Sequence, residues 1–240
     1  MGSVDRPLEE RISVQHVSAH RPASSHKLVA LGVAGLAGAI VYPYAVMAVQ
    51  LLQHGDGSSQ AVSQLVHGRD GVVVALATVL LGLSSLAIAS ALRTAGPQTD
   101  AARAGRFFLR AWGVCAVLWG AFPVDRDGAS ASFLGSVHAV AGGIGFACLV
   151  LALLAVTRGL RSDPYWRALR LPSLVVALVA LGALVSMYLV PASSFGALQR
   201  AYLAAADVWL MAIAFRAASL GSEAEVAQIT QGRVERSLAA

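Results

Sequence analysis

Asp125, Asp127, His138, Arg200 and Asp207 are the side chains whose types and spacing could do chemistry in this chain. The first two stand in a short acidic loop within GAFPVDRDG, between two apolar runs. His138 lies inside the run that follows, Arg200 opens the last run, and Asp207 comes seven residues later. A carboxylate orients and charges an imidazole, and an imidazole moves a proton near neutral pH, so Asp125 and His138 are expected to form an acid–base pair. A guanidinium grips phosphate or carboxylate through paired donors, which makes Arg200 the expected ligand-binding cation, with Asp127 and Asp207 as further ligand contacts. On a helix, seven residues put Asp207 on the same face as Arg200 and roughly 10 Å deeper. A carboxylate at the centre of a membrane span costs on the order of 2.5–3.5 kcal/mol on insertion scales, so Asp207 should face a bundle interior with a partner or a proton. Asp125, His138 and Arg200 would serve equally as a salt-bridged lid over one mouth of a bundle, and Asp207 as a hydrogen-bond clamp between helices.

Other chemistries lack their residues. Zinc needs three or four ligands, and Asp125, Asp127, His138 and His67 could supply them only if two loops folded together; the apolar body has no HxxxH or HExxH spacing. No metal site and no cofactor is therefore expected. A haem between helices wants paired histidines, and His138 is alone in its run. No GxSxG turn offers a serine nucleophile, and the glycines of the fourth run follow no strand and precede no lysine, unlike a phosphate loop. These residues leave open whether the chain is an enzyme. Nucleic acid is not an expected partner, because the arginines are spread over several loops and not clustered with aromatics on one soluble face.

The elements that must position these groups are membrane spans. The 240 residues are 57% hydrophobic and 13% charged, against roughly 45–50% and about 25% in an average soluble domain. Apolar runs fall near 28–52, 71–92, 107–122, 134–156, 173–190 and 196–218, most of them near the roughly 20 residues that a spanning helix needs. Backbone polar groups in lipid must be satisfied within the segment, so the fold expected is all-α: a polytopic integral membrane bundle of six transmembrane helices. The third run is the weakest and requires Arg110 to snorkel to the near headgroups. Fifteen of the 18 lysines and arginines then fall on one side, with only Arg69, Arg126 and Arg200 on the other. By the positive-inside rule both termini are expected in the cytoplasm of a multi-pass cell-membrane protein, with the acidic loop facing outward. Residues 1–26, including His16, His20 and His26, read as a disordered cytoplasmic tail; 27–220 as the transmembrane domain; and 221–240 as a short cytoplasmic tail.

Small residues at helical spacing, Gly32, Gly35 and Gly38 in the first run and Ala139 with Gly143 and Ala141 with Gly145 in the fourth, are expected to pack helices closely rather than to line a groove. The same faces would admit a second copy of the chain or a membrane partner. Cys115 and Cys148 lie in apolar runs and should act as small hydrophobes. Pro43, Pro123 and Pro191, with His67, His138 and Arg200, suggest a weak threefold repeat of hairpins.

The turn GAFPVD at Gly120 to Asp125, His138 in the next run and GALQR at Gly196 to Arg200 together resemble the bacterial membrane proteins called domain of unknown function 998, over roughly residues 28–220. The resemblance implies a compact six-span fold and puts weight on Asp125, His138 and Arg200, but implies no activity. With no nucleophile and no complete metal set, the residues favour binding or transfer of a small anionic or lipid-like ligand in an outward pocket. The alternatives are an enzyme acting on a lipid or isoprenoid headgroup by Asp/His acid–base chemistry, and a structural or regulatory membrane subunit.

Overall fold

The apolar runs become helices: α1 Ser25–Gln53, α2 Gly71–Ala95, α3 Asp100–Ala121, α4 Phe133–Leu160, α5 Arg170–Leu189 and α6 Phe195–Leu238. The structure, a computed structural model, describes residues 25–53 and 59–238. The tail expected at 1–26 therefore lies outside the described residues except for Ser25 and His26, as do His54 and Asp56. Among the described residues there is no strand. The helices α1, α2, α4, α5 with its preceding turn, and α6 are long and apolar enough to cross a membrane. At 22 residues, α3 has the length to span, at 1.5 Å per residue, but its first half carries Asp100, Arg103, Arg106 and Arg110.

That polar half explains why α3 begins well before the apolar run at 107. The Thr99 side chain accepts from the Ala102 amide and caps the helix, and Asp100 pairs with Arg103 in the first turn, the placement that the helix dipole favours for a carboxylate. Arg106 is buried and folds back to donate to the Pro97 carbonyl, 2.8 Å away. The last helix departs from expectation at its other end. It does not stop near residue 218 but runs unbroken to Leu238, so the last apolar run and the polar segment after it form one rod of 44 residues.

Each helix packs on the next in sequence, α6 closes against α1, and α2 also touches α6 inside the ring. The side-chain distribution is that of a multi-pass membrane protein, with large apolar side chains such as Ile40, Met47, Leu76, Val140, Leu178 and Leu189 on the outside. Lipid removes the hydrophobic drive between helices, so close packing and hydrogen bonds must hold them. A Cβ added to Gly82 on α2 would lie 2.6 Å from the Gly113 carbonyl oxygen on α3, and one on Gly32 would meet the α6 backbone at Ala218. The Ser84 hydroxyl of α2 donates to the Ala34 carbonyl and accepts from the Gly38 amide of α1. The first small-residue stripe thus packs as expected.

The fourth run splits the expectation. Gly145 does pack closely, against Trp112 and Cys115 of α3, whereas a Cβ on Gly143 would meet nothing within 4 Å. The Ala139–Gly143 face borders a recess instead of a helix. The threefold repeat is also incomplete in structure. Pro43 sits inside α1, ten residues before its end, while Pro123 and Pro191 follow helix ends. His67 closes a 3-10 turn, Val62–His67, ahead of α2, whereas His138 lies inside α4.

Gly82→Ala should lower the unfolding midpoint of the detergent-solubilised protein, by about 1–3 kcal/mol of overpacking, despite the better helix propensity of alanine. Gly143→Ala gains the same propensity, up to about 1 kcal/mol, with no contact to lose, so its midpoint should stay or rise. Thermal unfolding of the two variants side by side checks this.

Candidate functional site

The end of the bundle that carries the acidic loop is covered by the segment 59–70, ahead of α2. Val62 and Leu65 of its 3-10 turn are at most 1% exposed and plug the ring. Uncharged amides fasten this lid. Gln53 at the end of α1 donates to the carbonyls of Leu65 and Arg69; Gln199 of α6 accepts from the Val62 amide at 2.8 Å; and Gln64 of the lid donates to the Asp125 carbonyl and to the Asp127 carboxylate at 2.9 Å. Arg200 completes the set, donating to Gln50 Oε1 at 2.9 Å, to the Gln60 carbonyl at 2.7 Å and to the Gly196 carbonyl at 2.9 Å. Its guanidinium joins α1, the lid and α6. The glutamines escaped the sequence reading because they carry no charge, although Gln50, Gln53, Gln60 and Gln64 crowd the end of the first run and Gln199 precedes Arg200.

Asp125 contacts the start of α4. Its carboxylate accepts from the Ser132 amide at 2.9 Å and the Ser132 hydroxyl at 2.6 Å, and Ser132 in turn accepts from the Gly135 amide as the N-cap of α4. A Cβ on Gly135 would collide with this carboxylate, so the glycine makes room for the negative charge at a helix N-terminus, where the dipole favours it. The Ser132 bonds hold the Asp125 carboxyl below the usual carboxylate range.

His138, one turn into α4 and 5% exposed, is oriented by the backbone at Phe122 and Trp119 and makes no hydrogen bond to Asp125. Its Nδ1 lies 2.7 Å from the Phe122 carbonyl. A carbonyl can only accept, so Nδ1 carries the hydrogen, and in the neutral ring Nε2 is left as an acceptor. The ring leans on Trp119 at a centroid distance of 5.6 Å, at the end of an aromatic column in which Phe146 packs against Trp119, Trp112 and Tyr202. The Tyr202 hydroxyl crosses the interior to the Phe146 carbonyl at 2.7 Å. This column is part of the buried core and packs against the imidazole.

Two recesses flank α6. The first, about 260 Å³, lies among α4, α5 and α6 and is lined by His138, Trp119, Gly143, Phe146, Leu184 and Gln199, with other residues at its rim. Among the described residues nothing hydrogen-bonds to His138 Nε2 or to the Gln199 amide nitrogen. The second, about 150 Å³, lies between α1 and α6 and holds Arg200 and Gln50 toward the lid, Tyr42 and Asp207 deeper in. Consecutive residues Gln199 and Arg200 face different recesses because each helical step turns about 100°. His138 therefore borders one recess, Arg200 and Asp207 share the other, and Asp125 and Asp127 stand in the loop between the lid and α4. Asp125, His138 and His67 are within electrostatic reach of one another. No three His, Cys, Asp or Glu side chains among the described residues are grouped as a metal would need.

No curated protein and no solved structure matches the chain. The family model described as protein of unknown function DUF998 matches residues 36–216, from the middle of α1 to the level of α6 where the Arg216 guanidinium reaches the Tyr165 carbonyl. The matched stretch takes in both recesses, the lid and the loop that caps α4, and on that match the chain belongs to the DUF998 family of proteins of unknown function.

Proposed function

We propose that this protein is a cell-membrane protein with six spans and cytoplasmic termini that binds or transfers a lipid-like ligand in the recess beside His138. The observation that carries this reading is the α4–α5 flank. These two helices make the loosest contact of any adjacent pair, and the recess there is edged by exposed Ala139, Gly143 and Tyr188. Its walls are otherwise mostly apolar and aromatic, and its polar side chains are His138 and Gln199, with Ser63 of the lid. A mostly apolar cleft with few convergent polar groups suits an amphiphile. An opening on the lipid flank admits one without passage through water. The free acceptor at His138 Nε2 and the free donor on the Gln199 amide match a hydroxyl, which offers both a hydrogen and lone pairs.

Arg200 has a different part in this reading. Its Nε and Nη1 are engaged by Gln50, Gln60 and Gly196, so in this reading it anchors the lid. A proton-accepting His138 Nε2, with Nδ1–H fixed by a carbonyl, would also serve an enzyme that deprotonates a bound hydroxyl. That second reading requires a reacting partner next to the bound hydroxyl.

Photolabelling with a diazirine-bearing long-chain alcohol should place adducts on α4 and α5 around Gly143. Gly143→Leu, which fills the recess, and His138→Leu, which removes its acceptor, should each cut labelling several-fold. Equal labelling in all three proteins sinks the assignment, and stronger labelling by the corresponding diazirine fatty acid restores an anionic ligand. Chemical turnover of the alcohol, abolished by His138→Leu, would favour the enzyme.

Six spans require α3 to cross. With Cys115 and Cys148 replaced by alanine, a membrane-impermeant maleimide should label Arg126→Cys in intact cells and Gln98→Cys only after permeabilisation. Labelling of both from the same side would remove α3 from the set of spans.

A further inference from the structure

The recess between α1 and α6 holds a second unassigned site. Asp207 is 3% exposed, and among the described residues no hydrogen bond or ion pair reaches its carboxyl group. The Tyr42 hydroxyl lines the same recess, is buried to 2% residue exposure and also has no hydrogen-bond partner. Elsewhere in the interior large polar side chains are matched: Trp112 donates to Ser85, Trp209 to Ser173 and Tyr202 to the Phe146 carbonyl. Thr157 Oγ1 and His67 Nε2 are also buried without a partner, but each lies outside this recess; two unmatched groups facing one recess depart from the rule that buried polar groups are paired.

We infer that Asp207, with Tyr42 beside it, is a proton-exchanging site inside the bundle, reached through the recess from the lid end. An ionised carboxylate cannot persist unpaired in a low-dielectric interior, so something neutralises it. The side chains around it choose what. The charged or titratable groups lining the recess among the described residues are Tyr42 from α1 and Arg200 from α6 itself; the lid contributes Val62, and neither α2 nor α5 contributes a lining residue. Arg200 sits two turns nearer the lid and is engaged by three acceptors. A metal cation such as sodium would want a shell of oxygens, but the lining side chains offer only the carboxylate, the phenol and a Gln50 oxygen that Arg200 already uses. A proton needs no shell. The volume of about 150 Å³ admits several waters, and Gln50, Arg200 and Tyr42 provide polar partners for them along the way. Protonation forms an O–H bond on the Asp207 carboxylate with hydronium as donor and water as product; release reverses both.

This site does not depend on the ligand reading of the recess beside His138. The test is infrared spectroscopy of the whole protein in lipid, titrated across the pH range in which it stays folded. The expected result is a protonated-carboxyl stretch that fades as pH rises, is absent in Asp207→Asn, moves in frequency in Asp207→Glu and Tyr42→Phe, and is retained in Gly143→Leu. A spectrum identical in wild type and Asp207→Asn overturns the site, and so does an Asp207 band that does not titrate. A titration that shifts when sodium replaces choline overturns the proton in favour of sodium.

Discussion

Helices in lipid gain little by hiding apolar surface from one another, and that constraint governs this structure. What holds the ring is backbone brought against backbone: Gly82 on Gly113, Gly32 on Ala218, and the Ser84 hydroxyl bridging the Ala34 carbonyl and Gly38 amide. Dispersion and a few well-placed hydrogen bonds supply the cohesion. Where close approach fails, the fold opens. It fails between α4 and α5, where Gly143 has no neighbour within 4 Å of its missing Cβ, and the recess beside His138 is the consequence.

Within an interior otherwise built mostly of aliphatic side chains, a run of buried aromatics gives the site its rigidity. Phe146 touches Trp112, Trp119 and Tyr202, and Trp119 packs against His138. The Phe122 carbonyl then sets the tautomer. Above this column the lid is held by amide and guanidinium donors on carbonyls and by single carboxylate contacts. Such bonds do not depend on titration of the lid itself, unlike a mouth closed by salt bridges.

Much of the fold was legible in the sequence because periodic apolar runs and lipid leave the backbone little choice but helix. Thr99 and Ser132 mark helix starts by their cap chemistry, although the polar first turns of α3 hid its beginning behind Arg103 and Arg106. The sites were legible residue by residue, not as a constellation. Asp125 and His138 lie within electrostatic reach of each other, but Asp125 is bonded to Ser132 and His138 to a carbonyl. Arg200 faces another recess because a helix turns about 100° between it and Gln199. Spacing along one helix placed Asp207 below Arg200 correctly; which helices adjoin was not written in any single run. The glutamines of the lid and the open side of Gly143 depend on those neighbours too, and neutral polar residues leave no charge pattern to read.

Occupancy of the α4–α5 recess in the membrane is the decisive property. Native mass spectrometry of the protein gently extracted from its own membrane, wild type beside Gly143→Leu, tests that directly. A lipid-like mass should co-purify with the wild type and be lost from the variant. A bare protein in both, or the same bound mass in both, would contradict it.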